Sequence, residues 1–149
     1  MRITDFLSPK HGVHVLKATE PVAAIREIGA ALARSSDLEP ERLIELLLRR
    51  EQVCTTAVGN EVAIPHARTP EAGSTVAVIG LAAHGIDFRA PDGLPVRVLA
   101  AFVSPIHGGR HLQAIATISR TLGDAALRRQ LLEARAPAEV YQLLGGSRA

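Results

Sequence analysis

The sequence predicts a single α/β domain, a sandwich in which a mixed central β-sheet is flanked by helices. Three observations predict it. Apolar residues recur at helical steps towards both ends of the chain. Between Val53 and Val103 the pattern changes to short strand-like runs. Two of those runs, Thr75 to Ala82 and Leu94 to Val103, are apolar almost without interruption, as strands covered on both faces are. The 149 residues are about one domain's length, enough to bury roughly 70% of the surface that the unfolded chain exposes. No repeat, linker or low-complexity segment divides residues 1–149.

The elements follow in order. Val13, Val15 and Leu16 suggest a first short strand. Thr19 is placed to cap the helix that follows and Pro21 to sit in its first turn. Val22, Ile25, Ile28, Gly29 and Leu32 recur at three- and four-residue steps and mark its buried face. Asp37 to Pro40 opens a second helix with the stripe Leu43, Ile44, Leu47 and Leu48, closing on Arg49-Arg50-Glu51. Val53 to Val58 and Val62 to Ile64 read as short strands about the turn Gly59-Asn60. Ile86 to Gly93 reads as a hairpin or loop between the two long apolar strands, with Gly85 and Gly93 as punctuation. After Pro105-Ile106-His107-Gly108-Gly109, helical spacing returns with Leu112, Ile115, Ala116, Ser119 and Leu122. Asp124 caps a helix carrying Leu127, Leu131 and Leu132, and Pro137 starts a last one that stops at Gly145-Gly146.

Composition narrows the function classes. Hydrophobic residues at 47% against 21% charged are those of an ordinary globular protein. Arg, Asp or His breaks every apolar stretch well short of the about 20 residues that a membrane span requires. The opening MRITDFLSPKHG has no apolar core of a secretory signal. The expectation is a cytoplasmic protein without membrane insertion. The lone cysteine, Cys54, excludes an internal disulfide and a thiolate zinc cluster. A net charge of +2 is small, Lys and Arg are scattered, and one Tyr, three Phe and no Trp offer little for base stacking, so nucleic acid is not expected as a partner.

The stretch GNEVAIPHARTP, Gly59 to Pro70, is the most informative. Pro65 has a fixed φ and biases Ile64 towards extended geometry, so a strand is expected to run up to Pro65 and end there, presenting His66 from a stiff strand-to-loop junction. An imidazole with a pKa of about 6.5 is largely neutral at cellular pH and has a lone pair available, which suits a nucleophile. The plainer reading is a histidine that only hydrogen-bonds at a strand end. His107 and His111 stand at a metal-ligand spacing for a helix, but Gly108 and Gly109 argue against a helix through both. No metal and no cofactor are expected.

Leu47-Leu48-Arg49-Arg50-Glu51, followed by Thr56-Ala57-Val58-Gly59-Asn60-Glu61-Val62-Ala63-Ile64-Pro65-His66-Ala67-Arg68, closely resembles the active-site signature of the fructose/mannitol/nitrogen-regulatory class of IIA components of the bacterial phosphoenolpyruvate-dependent phosphotransferase system. The resemblance continues through Ile86-Asp87-Phe88, Ala90 to Val96, Pro105 and His111-Leu112, and takes in Thr4 to Leu7 and Glu139 to Leu144. One departure is Cys54-Thr55-Thr56-Ala57, where the family commonly has a Gly-Ser-Thr-Gly type run.

The resemblance implies that His66 accepts a phosphoryl group from the phosphohistidine of an HPr-type carrier and passes it to an acceptor, a IIB component or a regulatory target protein. Phosphoryl transfer needs in-line placement and positive charge more than acid–base machinery. Arg50 matches the family's arginine and would offer a planar fork to phosphoryl oxygens; its alternative is a helix-end cation satisfying the macrodipole. His111 corresponds to the family's second histidine and would hydrogen-bond the phosphoryl group. Arg68 is a further contact, or a solvated side chain. A chain of one domain with this closing segment tilts towards the nitrogen-regulatory branch, with a free-standing fructose- or mannitol-type IIA as the alternative. A metal-dependent hydrolase is the competitor from another class.

Overall fold

In the computed structural model, which describes residues 1–108 and 110–145, one sheet carries helices on both faces. A 3-10 turn, Ile3–Asp5, precedes strand β1 (Val13–Val15), helix α1 (Pro21–Ser36) and helix α2 (Pro40–Val53). Strands β2 (Ala57–Gly59), β3 (Val62–Ala63), β4 (His66–Arg68), β5 (Val76–Ile86) and β6 (Val96–Ser104) follow. Helices α3 (His111–Leu122), α4 (Ala125–Glu133) and α5 (Pro137–Leu143) complete the described chain. The sheet runs β1-β5-β6-β3-β2, with β4 also paired to β6. β5 and β6 are antiparallel, whereas β1 joins β5, and β3 and β4 join β6, in parallel. This is the mixed sheet expected.

The two faces of the sheet bury different cores. One packs Ile25, Ile28 and Leu32 of α1 and Leu43 and Leu47 of α2 against Val78, Leu99 and Val103. The other packs Ile3, Phe6 and Leu7 with Ala114, Ile118 and Leu122 of α3, Leu131 and Val140 against Ile79, Ala100 and Phe102. Gly29 lets α1 and α2 approach closely: a Cβ there would stand 2.8 Å from Cγ1 of Ile44.

Several local expectations are corrected. Glu20, not Thr19, caps α1, accepting from the N–H groups of Val22 at 3.1 Å and Ala23 at 2.7 Å. A carboxylate one residue nearer the helix reaches the orphan donors better. Asp37 does not open α2; it ends α1 in the left-handed region at φ 57°, and Glu39 caps α2. Val22 lies outside the buried stripe of α1. Val53 closes α2, and the strand begins only at Ala57 because Glu51 reaches forward to hold the backbone N–H of Thr56. β6 starts at Val96, two residues later than the apolar run does. The inward face of α3 is His111, Ala114, Thr117, Ile118 and Leu122, so Leu112, Ala116 and Ser119 point outward. Its phase departs from the hydropathy pattern because a histidine holds a core-facing position. Gly109 and Gly146, where the sequence predicts a helix break and a helix stop, lie outside the described residues.

The strand at Pro65 does not end there. Val62 and Ala63 pair with Val98 and Leu99, and His66, Ala67 and Arg68 pair with Phe102, Val103 and Ser104, the same offset throughout. Pro65 lacks an N–H but its carbonyl accepts from Phe102 N at 3.0 Å, so β3 and β4 are one strand interrupted for two residues.

Candidate functional site

Side chains alternate along a strand, so the shared register of β4 and β6 sorts them. Ala67 and Val103 turn towards α1 and α2, while Phe102 belongs to the core beneath α3, the side taken by His66, Arg68 and Ser104. The half-buried His66 ring stacks on Phe102, centroids 5.3 Å apart and planes 12° from parallel. Its Nδ1 lies 2.7 Å from the carbonyl oxygen of Ile64, one of the two residues at the strand interruption. A carbonyl only accepts, so Nδ1 carries the proton and Nε2 keeps its lone pair. Burial lowers the pKa of His66 from its ordinary value. The Ile64 carbonyl and Glu51 oppose that shift, and the positive charges of Arg50 and Arg68 reinforce it.

His111, the first residue of α3, is only 9% exposed. Its ring stands edge-on to His66, with centroids 5.4 Å apart and planes at 63°, and 5.1 Å from Phe102. Nδ1 of His111 meets the buried hydroxyl of Ser104 at 2.6 Å. Burial, then the charges of Arg68 and of His66, push its pKa down to about 4. At neutral pH the site therefore holds two neutral imidazoles within a positive field. Because α3 starts at His111, His107 is outside the helix and the helical metal-ligand spacing is not realised.

Arg50, in the last turn of α2, donates from Nη1 to the carbonyl oxygen of Cys54 at 2.9 Å, so it does act as a helix-end cation. That bond uses one of five donors and leaves most of the fork unspent. Glu51 folds forward onto Thr56, accepting from its hydroxyl and, at 3.0 Å, from its N–H. This closes the Cys54-Thr55-Thr56-Ala57 loop, together with the Thr55 hydroxyl, which donates to the Phe88 carbonyl at 2.8 Å. Arg68 is exposed and has no polar partner among the described residues. The sequence reading missed Phe102, Ser104 and Glu51 as parts of the site. Glu51 lay inside the quoted signature, whereas Phe102 and Ser104 become visible only through the strand register.

Residues 6–146 match the family described as phosphoenolpyruvate-dependent sugar phosphotransferase system, EIIA 2. The chain belongs to the EIIA type-2 family. Among EIIA type-2 relatives, a nitrogen regulatory protein of Bradyrhizobium diazoefficiens is 33% identical over 97% of this chain and 95% of its own length. A fructose-specific EIIA component of Haloferax volcanii is 37% identical over 68% of this chain and 66% of its own. The crystal structure of the nitrogen regulatory protein IIA-Ntr from Neisseria meningitidis superposes with a TM-score of 0.86 at 26% identity, covering 95% of this chain and 98% of that one. The fold is that of the EIIA type-2 proteins, and phosphoryl transfer is the chemistry of the family. Among the described residues no helix of this EIIA domain is long and apolar enough to cross a membrane.

Proposed function

We propose that this chain is a phosphocarrier in which Nε2 of His66 takes a phosphoryl group from an HPr-type phosphohistidine and hands it to a IIB component or a regulatory target. The observation that carries this reading is the bond from Nδ1–H of His66 to the Ile64 carbonyl, 2.7 Å, which leaves Nε2 the lone pair that a nucleophile needs. In the transfer, the Nε2 lone pair bonds to phosphorus while the donor's P–N bond breaks and its electron pair returns to the donor imidazole. The positive charge formed on the acceptor ring is shared with Nδ1–H and stabilised by the Ile64 carbonyl. Phe102 fixes the plane of the ring and so the line of attack. Arg50 and Arg68 supply the positive field for the equatorial oxygens, and His111 a hydrogen bond from the side.

The nitrogen-regulatory relative, matched over nearly its full length, and the IIA-Ntr fold favour a regulatory acceptor. The fructose-specific relative supports a second reading, delivery to a sugar-uptake IIB component. Incubation with phosphoenolpyruvate, enzyme I and an HPr-type carrier, followed by intact mass, tests the core of the proposal. One acid-labile, base-stable phosphoryl group is expected on the wild type and none on His66→Ala with unchanged circular dichroism. Full labelling of that variant would place the nucleophile elsewhere.

A further inference from the structure

Ser104 is wholly buried at the end of β6, and its backbone is held in place because its carbonyl accepts from Thr69 N at 3.0 Å. Its hydroxyl has one polar partner among the described residues, Nδ1 of His111. The two possible directions of that bond are not equivalent. If Nδ1 carried the proton and donated to Oγ, the hydroxyl proton would be left buried without an acceptor, an unpaired donor that has lost its water. If the hydroxyl donates to the Nδ1 lone pair, both groups are satisfied, and the ring proton must then sit on Nε2.

We propose that Ser104 is the positioning residue of this site: its hydroxyl holds His111 as the Nε2–H tautomer, so that His111 meets a phosphoryl group on His66 as a neutral donor. The Ile64 carbonyl fixes the opposite tautomer on His66. The two rings, 5.4 Å apart, are thus set as complementary partners: one offers a lone pair to phosphorus, the other an N–H to a phosphoryl oxygen. The wrong tautomer on His111 would aim a lone pair at an anionic oxygen and repel it. The main-chain carbonyl that orients His66 cannot be mutated away, but the side chain that orients His111 can.

The inference rests on His66 as the phosphoryl acceptor, and its first readout needs no phosphoryl group. In unphosphorylated protein with 15N-labelled histidine at neutral pH, two-bond proton–nitrogen correlations distinguish protonated from unprotonated ring nitrogens. His111 is expected to be protonated on Nε2 only, and His66 on Nδ1 only. In Ser104→Ala, His111 is expected to become a mixture of tautomers. Its phosphoryl transfer from the carrier should then slow by roughly three- to tenfold, the loss of one neutral hydrogen bond. Ser104→Thr, which keeps the hydroxyl, should restore both. Protonation of His111 on Nδ1 in the wild type would overturn the proposal even if Ser104→Ala failed to fold. So would a Ser104→Ala protein with wild-type tautomer and rate. The expected tautomers in a protein that takes no phosphoryl group on His66 would instead overturn the function read for the site.

Discussion

At the scale of single residues, the site is a set of neutral rings and partly committed cations. The His111 pKa, pushed down to about 4, links to stability with a definite sign. Between the ordinary histidine value near 6.5 and about 4, the unfolded chain binds a proton at this position and the folded chain does not, so stability is lost as pH falls through that window and levels off below it. The urea midpoint of the wild type should therefore fall more steeply from pH 7 to pH 4 than that of His111→Gln. The lowered pKa of His66 predicts that, as the pH is reduced, labelling falls off later than it would for an ordinary histidine nucleophile. Arg50 is expected to contribute through its fork: Arg50→Ala should slow transfer by roughly a hundredfold and Arg50→Lys by less. Equal rates in all three proteins would leave only its bond to Cys54. His66 could be singled out as a candidate because a proline before a histidine at the end of an apolar run is a local signal. Phe102 was not, since nothing in an apolar run says which residue faces a ring thirty-six positions earlier.

At the scale of elements, close packing decides more than propensity. Gly29 costs α1 some helical stability and is required by α2, because a Cβ would press on Ile44 at 2.8 Å. Gly29→Ala should consequently destabilise the fold by about 1–3 kcal/mol, read as a lower thermal midpoint, despite the better helix propensity of alanine. The existence and order of the helices could be read from the 3.6-residue period, and Asp124 was recognisable as a cap. It accepts from the N–H groups of Ala126 at 3.0 Å and Leu127 at 3.2 Å. The phase of α3 could not be read, because hydropathy scores His111 as a surface residue. Its burial is stabilised by Ser104, a residue in another element. The pause at Pro65 looked like a strand end because proline removes a ladder donor, whereas the partner strand spans the gap by using the proline carbonyl.

At the scale of the whole molecule, the fold class was legible because strands covered on both faces need helices on both sides, and the chain has helical periods before and after its strands. The convergence of the site was not. It needs α2 from one layer, β4 and β6 from the sheet and α3 from the other layer, and only the assembled topology sets those side by side. Near it in the chain, apolar side chains remain open to solvent: Val53, the last residue of α2, is 81% exposed, and Leu112, next to His111, is 71% exposed. A carboxylate there should weaken encounter with the carrier and leave the chemistry alone. Leu112→Glu is thus expected to raise the apparent KM for the phosphorylated carrier severalfold with kcat little changed, the reverse of the Arg50 variants. The uninterrupted offset between β3–β4 and β6 has one more consequence, for how the gene can vary in length. A single-codon insertion or deletion between Ala63 and His66 would advance or retard the pleat by one position. Ala67 or Pro65 would then point where His66 does, and the imidazole would be driven into the apolar layer under α1 and α2. The turn at Gly59-Asn60 is free of that parity, so drift in chain length among descendants of this gene belongs in the turn and not in the two residues before the histidine.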